Sequence, residues 1–306
     1  MESHVTPACT NQLKKVAYAL DKLCPISPKN LSEGLHVCRT LQMHGIPSTL
    51  GKFSKPGDDT AEIINEYMLA STAIKSSSAA NHFYLSVKPG VLDFDSDKVL
   101  EIATAALQQG HGVHFDSREH EQAEPTIRLL QEIIDLNIPA DDTTCNWKFS
   151  IAMPSRWKRS IVDAQWAIDK GVRVRLVKGE FKPADSADAM DPEKGFLELV
   201  DRLAGNVPEI ALASHDYALV REALVRCKKC STPVQLELIF GLPVGKMTAL
   251  AVEMGVPVRF YIPYGDALLR YGIKYFLQNP RKLLRPGLPE LFAGFKSKLD
   301  RAVLVT

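Results

Sequence analysis

The segment Val172-Arg-Val-Arg-Leu-Val-Lys-Gly179 decides the fold class of this 306-residue chain. Its short, largely apolar run is typical of a parallel strand that is covered on both faces. Comparable runs recur along the chain, and a stretch of helical periodicity follows each of them. Strands that alternate with helices of about 10 to 15 residues form βαβ units, so the pattern predicts a parallel sheet.

The repeat count indicates how this sheet is arranged. Eight βα units are the number that closes a barrel, and no Gly-x-Gly-x-x-Gly follows any of the predicted strands. We therefore predict an α/β fold, a (β/α)8 TIM-type barrel with extra N-terminal helices and a C-terminal helix. The eight predicted strands are 46–51, 83–88, 111–115, 148–152, 172–178, 210–214, 234–240 and 258–262.

The chain contains no Pro/Gly/Ser-rich linker that would divide it. We therefore predict a single domain over residues 1–306. Its parts are an N-terminal helical arm (1–45) with helices at 11–21 and 31–44, the barrel (46–280), and a C-terminal helix (281–306). A helix at 267–277 is expected to follow the last strand.

The composition of the chain argues against several kinds of protein. Lys and Arg total 37 against 36 for Asp and Glu, a net charge of +1, which argues against nucleic acid and against a polybasic membrane face. No signal-peptide pattern and no apolar run of about 18 residues is found, so we expect a cytoplasmic protein without a membrane anchor. Cys227-Lys-Lys-Cys230 is a lone CxxC pair, and we expect surface thiols there and no metal site.

The polar residues that the predicted strands carry or end on would meet on one rim of such a barrel, where the chemistry of this fold is concentrated. Arg175 is the most informative of them, because it shares a strand face with Arg173 and a charge inside a barrel must be paired or bound to a ligand. Asp116 has the alternative of capping the next helix. The rim set is Lys88, Asp116, Arg156, Arg175, Lys178, Ser214, His215, Glu237 and Tyr261.

Cations dominate this set, and we expect the acids to lie largely on the outer helices. A cationic rim favours an anionic ligand such as phosphate, pyrophosphate or carboxylate, for example a flavin or a phosphorylated sugar. Ser214-His215-Asp216 is not a catalytic triad, because neighbouring strand residues point to opposite faces.

The strand ends also resemble a known family. Arg175-Leu-Val-Lys-Gly179 is similar to the Arg-Leu-Val-Lys-Gly-Ala-Tyr signature of the proline dehydrogenase family, and further segments match in order over residues 46–278. Leu236-Glu-Leu-Ile-Phe-Gly241, for example, resembles that family's Phe-Gln-x-Leu-Tyr-Gly. The other matching segments are Leu85-Ser-Val-Lys88, Phe115-Asp116, Ala213-Ser-His-Asp216 and Phe260-Tyr-Ile-Pro-Tyr-Gly265.

The resemblance implies a distorted (β/α)8 barrel that binds FAD on its C-terminal rim and oxidises a secondary amine to an imine by hydride transfer to flavin N5. It implies that Arg175 approaches N5 and favours the reduced, anionic ring. The implied catalytic residues are Lys88, Asp116, Arg175 and Tyr261. The implied FAD-binding residues are Arg156, Arg175, Lys178, Gly179, Ser214, His215 and Glu237. The implied substrate-binding residues are Lys88, Asp116, Ile239, Tyr261, Tyr271, Lys274 and Tyr275.

The sequence departs from the family where the substrate carboxylate would bind. The family's Tyr-x-x-Arg-Arg-Leu-x-Glu is here Tyr271-Gly-Ile-Lys274-Tyr275-Phe-Leu-Gln278, and lysine does not replace the rigid fork of a guanidinium. The family's Gln-Ala-Tyr after strand four is Pro154-Ser-Arg156, and its Val-Lys-Gly-Ala-Tyr ends here in Phe181. The sequence thus predicts a flavoenzyme that acts on proline or on a proline-like secondary amine or amino acid, with an altered binding site for the substrate carboxylate.

Two alternatives stay open. One is a flavin-free barrel lyase of the aldolase type, in which Lys178 or Lys88 forms a Schiff base. The other is a non-catalytic relative that binds flavin. For the flavoenzyme, the resemblance implies a quinone as the electron acceptor.

Overall fold

The structure is a computed structural model that describes residues 27–55, 57–74, 83–117, 119–136 and 148–266. Its centre is a closed barrel of eight parallel strands in which each strand pairs with its neighbours in chain order, and β8 pairs with β1. The predicted barrel is therefore confirmed. The strands are β1 (Ser48–Phe53), β2 (Tyr84–Val87), β3 (Gly112–Phe115), β4 (Phe149–Pro154), β5 (Arg173–Val177), β6 (Ile210–Ala213), β7 (Val234–Ile239) and β8 (Val258–Gly265).

Helices surround the barrel. In the part of the chain that the structure describes, no helix is long and apolar enough to cross a membrane. The helices are α1 (Leu31–Met43), α2 (Thr60–Ala73), α3 (Ser96–Gln108), α4 (Ala123–Asp135), α5 (Arg159–Asp169), α6 (Pro192–Leu203), α7 (Tyr217–Lys229) and α8 (Gly245–Glu253).

Aspartate side chains begin several of these helices just beyond the strand ends. Asp59, Asp95, Asp191 and Asp216 each accept a backbone N–H from the first turn of α2, α3, α6 and α7, respectively. Such a cap satisfies a donor that the helix leaves unpaired, and it is worth about 1 kcal/mol. The caps thereby fix the residue at which each of these four helices starts.

Helix α1 agrees with the helix predicted at 31–44, and it packs against β1 and β8, the strands that close the barrel. The close approach depends on Gly34, since a Cβ there would lie 2.9 Å from Leu50 Cδ1. The helices predicted at 11–21, 267–277 and 281–306 lie outside the described residues.

Successive residues of each strand point alternately towards the helices and into the barrel, and the two sets differ in polarity. The residues that face outward are largely apolar and buried against the helices, as Leu50, Leu85, Leu176 and Leu212 illustrate. The residues that face inward are largely polar, and arginine, glutamate, histidine and tyrosine side chains fill the barrel. A charge in this environment must be paired, and this requirement governs the arrangement of the interior.

Tyr84 anchors the lower half of the interior, towards the N-terminal ends of the strands. The guanidinium groups of Arg173 and Arg259 each lie 4.7 Å from the centre of its ring, a cation–π geometry. Tyr84 also lies over Gly112 on the next strand, where a Cβ would come within 2.6 Å of Tyr84 Cδ1. Gly112 thus leaves the space that the ring occupies.

We expect Gly112→Ala to destabilise the protein by roughly 1–3 kcal/mol, because the added methyl group would displace Tyr84 from between two arginines. Gly245→Ala is the matched control, since its Cβ would meet no atom within 4 Å. Urea unfolding of both variants measures the difference. Equal stability of the two variants would contradict the packing assigned to Tyr84.

Candidate functional site

A chain of ion pairs crosses the C-terminal half of the barrel. The Lys88 ammonium lies 3.8 Å from the Asp116 carboxylate, and Arg175 Nη2 lies 3.2 Å from the same carboxylate. Arg175 Nη1 is 3.6 Å from the carboxylate of Glu237, which is 2% exposed. The structure therefore brings together four of the predicted rim residues, and Asp116 pairs with cations of two other strands.

An apolar wall stands beside these charges. Tyr261 packs edge-to-face on Phe53 with ring centroids 6.5 Å apart, and Ile239 covers both rings. The Lys88 ammonium lies 4.5 Å from the Phe53 ring centre and donates a hydrogen bond of 3.4 Å to the Tyr261 hydroxyl. Gly51 makes room for this hydroxyl, because a Cβ there would lie 2.8 Å from Tyr261 Cζ.

A second polar group lies at the ends of β5 and β6. Lys178 donates hydrogen bonds to Asp216, at 2.8 Å, and to Glu193, at 3.1 Å. Burial acts to lower the pKa of Lys178, but these two carboxylates outweigh it and raise the pKa above its ordinary value. In turn, the hydrogen bond from Lys178 lowers the pKa of Asp216. The Ser214 hydroxyl accepts the Asp216 backbone N–H at 3.2 Å, so it belongs to the same group.

The remaining predicted cofactor residues adjoin this group. Gly179 has φ +84°, and its close packing on Pro154 and Arg156 leaves no room for a side chain. Arg156 Nη1 donates to the Glu180 carbonyl at 3.1 Å. His215 Nε2 accepts the Ile239 backbone N–H at 3.2 Å, and this bond joins the second group to the apolar wall.

His114 lies inside the barrel, on the strand that precedes Asp116. Its Nδ1 is 2.9 Å from the Ser150 hydroxyl, and that hydroxyl also accepts a hydrogen bond from Arg173. Burial and the nearby cations, of which Arg175 acts most strongly, hold the pKa of His114 well below its ordinary value. The imidazole is therefore neutral at physiological pH.

The structure excludes the alternative cap of Asp116 and places some of the acids inside the barrel. Asp116 does not cap the following helix, because it pairs with Lys88 and Arg175. The acids are not confined to the outer helices either, since Glu237 lies inside the barrel between arginines. The predicted excess of positive charge on the rim is thus largely offset by carboxylates within the described residues.

Sequence reasoning missed three residues of the site. Phe53 was missed because strand 46–51 was predicted to end two residues too early; the alternation from Gly51 could have placed it on the inward face. Asp216 and Glu193 were not recognised as partners of Lys178, since pairing between residues far apart in the chain leaves no pattern within one strand. Predicted site residues Tyr271, Lys274 and Tyr275 lie outside the described residues.

The residues present fit an anionic cofactor that carries phosphate. Lys178 and Arg156 are donors beyond the ends of β5 and β4, where pyrophosphate oxygens would accept their hydrogen bonds. The Ser214 hydroxyl accepts the Asp216 N–H and has its own O–H to donate. Arg175 offers a guanidinium, and Tyr261 and Ile239 offer apolar surface next to it. FAD, a flavin on a pyrophosphate arm, is one cofactor of this chemical kind.

Fold and site together define a (β/α)8-barrel protein with a charged site on its C-terminal rim. No protein-family profile and no curated protein matches the chain. Solved structures do match. Proline utilization A from Bdellovibrio bacteriovorus, inactivated by N-propargylglycine, has a TM-score of 0.66 and 16% identity over 91% of this chain and 34% of its own. Proline utilization A from Corynebacterium freiburgense has a TM-score of 0.63 and 16% identity over 92% of this chain and 34% of its own.

This likeness establishes a shared fold. A further structure of proline utilization A, with proline bound in remote sites, matches with a TM-score of 0.62 and 16% identity over 82% of this chain and 30% of its own. The chain therefore spans about a third of the length of these proteins. The barrel that the resemblance implied is the fold that they share with it.

The buried His114 predicts a pH dependence of stability. Because its pKa is lower in the folded than in the unfolded protein, the unfolded state binds an extra proton as the pH falls below about 6.5. Below that pH, protonation of His114 in the unfolded state lowers the free energy of unfolding by up to ~1.4 kcal/mol for each unit by which the pH falls. We expect His114→Gln to reduce the acid slope in urea unfolding between pH 7 and 5. His36→Gln, at an exposed position, is the control and should keep the slope of the parent protein.

Proposed function

We propose that this chain is an FAD-dependent oxidoreductase that oxidises the C–N bond of proline or of a proline-like secondary amine to an imine, as a divergent relative of the proline dehydrogenase family. The carrying observation is the ion-pair chain Lys88–Asp116–Arg175–Glu237 on the barrel rim. It joins, in one connected group, residues for which the resemblance implies roles at the substrate and at the flavin.

The substrate end of the site is formed by Lys88, Asp116 and the apolar wall. The Asp116 carboxylate accepts hydrogen bonds, so it can receive one from the N–H of the substrate amine and orient it. The amine reacts in its neutral form, after its extra proton has passed to solvent. Phe53, Tyr261 and Ile239 offer apolar surface for a saturated ring and exclude water from it. Water exclusion matters because the imine product hydrolyses readily.

The cofactor end is formed by Lys178, Arg156, Ser214 and His215. FAD supplies the hydride acceptor, and the protein holds it and tunes it. The Lys178 ammonium and the Arg156 guanidinium would hold the pyrophosphate, and the positive charge of Arg175 would stabilise negative charge on the flavin ring. A quinone as the electron acceptor is part of the proposal.

The substrate class follows from the sequence of the last barrel segment. Where the resemblance implies two arginines for a carboxylate, this chain has Lys274 and Tyr275. A lysine provides a point charge and a tyrosine provides one donor, so the grip on a carboxylate is weaker than that of paired guanidinium groups. We therefore propose a cyclic or N-alkyl amino acid, or a less acidic amine, as a better substrate than proline.

We expect the purified protein to be yellow, with absorption bands that bleach on addition of dithionite. Anaerobic flavin reduction is then measured across a panel of cyclic and N-alkyl amino acids and amines. At least one compound should reduce the flavin at least ~10-fold faster than proline, which corresponds to ~1.4 kcal/mol of transition-state stabilisation. Lys88→Met should slow this reduction more than it weakens flavin binding.

Other outcomes would favour the alternatives. A colourless protein that borohydride links covalently to a carbonyl substrate would indicate the barrel lyase. The raised pKa of Lys178 speaks against that lysine as the nucleophile, because an amine must lose its proton before it attacks a carbonyl. Bound flavin that no amine reduces would indicate a non-catalytic relative, and rapid turnover of proline would overturn the altered substrate class.

A further inference from the structure

Glu237 occupies an unusual position in the barrel. It is 2% exposed, and its two carboxylate oxygens face different guanidinium groups: Oε1 lies 3.6 Å from Arg175 Nη1 and Oε2 lies 3.6 Å from Arg173 Nη2. Neither oxygen accepts a hydrogen bond from any residue that the structure describes. The carboxylate therefore interacts with both arginines chiefly through its charge.

Each of these arginines has a second carboxylate partner. Arg175 retains Asp116 at 3.2 Å on the rim side, and Arg173 pairs through Nε with Glu209 at the opposite end of β5. Neither guanidinium would be left without a counter-ion if Glu237 lost its charge. Arg173 and Arg175 therefore each have a counter-ion besides Glu237, and the charge of Glu237 acts on Arg175 in addition to that of Asp116.

A buried negative charge lowers the positive potential around the cation that it faces. Asp116 is partly exposed to water, which screens its charge, whereas Glu237 is almost fully enclosed. A charge that is enclosed in protein is screened less than one that water reaches, so it interacts more strongly with a neighbouring charge at the same distance. The buried carboxylate of Glu237 therefore reduces the positive potential around Arg175 more than an exposed carboxylate at the same distance would.

The corresponding family segment, Phe-Gln-x-Leu-Tyr-Gly, has an uncharged glutamine where this chain has Glu237. Glutamine has nearly the same shape and can also reach both arginines, so shape alone does not require the acid. What the acid adds at this position is a negative charge between two guanidinium groups.

We propose that Glu237 is a positioning residue that holds Arg175 and offsets its charge, so that the flavin of this protein is a weaker electron acceptor than it would be with a neutral residue here. This inference rests on the proposed function, because it acts through Arg175 on bound FAD. A weaker acceptor reduces the driving force for amine oxidation and eases transfer of the electrons to the next acceptor.

The test is the midpoint potential of the bound flavin in the parent protein and in Glu237→Gln, measured by equilibrium titration against redox dyes. We expect the variant to favour the reduced flavin by about tenfold, which for a two-electron couple corresponds to ~30 mV towards more positive potential. Sulfite, which adds to the electron-poor N5 position, should bind about tenfold more tightly to the variant. A merely structural role would move neither quantity.

Glu209→Gln is the matched control. It removes the same charge from the same arginine, Arg173, but at the N-terminal end of the barrel, where Glu209 also accepts a hydrogen bond from Gln235 at 2.8 Å. We expect the equilibrium constant for flavin reduction in this variant, obtained from its midpoint potential, to stay within about threefold of the value in the parent protein. The reason is that solvent screens the more exposed carboxylate of Glu209. A shift as large as that of Glu237→Gln would overturn a specific role for Glu237.

The outcomes separate the two proposals. A parent protein that binds no flavin would refute the proposed function, and this inference with it. A flavin-loaded parent whose potential and sulfite affinity are unchanged in Glu237→Gln would overturn the inference alone. Glu237→Met replaces the glutamine variant if the latter does not fold, because it also lacks the charge and has similar length.

Discussion

The requirement that a buried charge be paired determines the interior of this barrel. Apolar residues face the helices, so the inward positions are free to carry polar groups, and this chain places Arg173, Arg175 and Arg259 there. A buried guanidinium without a counter-ion would cost several kcal/mol. Glu237 and Glu209 supply carboxylates from other strands, and the Tyr84 ring supplies a π face for two of the arginines. Because these contacts connect β2, β5, β7 and β8, the charge pattern constrains the barrel as a whole.

The same constraint links the stabilising interior to the candidate site. Arg173 belongs to the lower layer and Arg175 to the rim, yet both face the single carboxylate of Glu237. A change of charge in the interior therefore alters the environment of the rim arginine without any movement of the backbone. Burial also affects the neighbouring groups: it lowers the pKa of Arg259 to about 10, with Arg173 as the second cause, and raises the pKa of Tyr84 to about 12.

Much of the fold and part of the site could be predicted from the sequence. Apolar runs of strand length alternate with helical periodicity. This local pattern is sufficient to count the strands, to place Lys88 and Asp116 at strand ends, and to place Arg175 on the inward face of its strand. Boundaries were less certain, as Phe53 illustrates, because the end of a strand depends on the neighbour with which it pairs. β1 runs to Phe53 because β8 continues to Gly265 and offers partners that far along.

The sequence by itself determined the strand count, the alternation of faces and the kinds of side chain that reach the rim, because these follow from local periodicity. Only the tertiary structure decided which charges meet. Asp116 is 28 residues from Lys88 and 59 from Arg175 by their numbering, and the closed barrel brings all three together. Closure likewise places Glu237 between Arg173 and Arg175. Pairing across strands depends on register and on the direction of each side chain, and neither leaves a signal in the order of the residues.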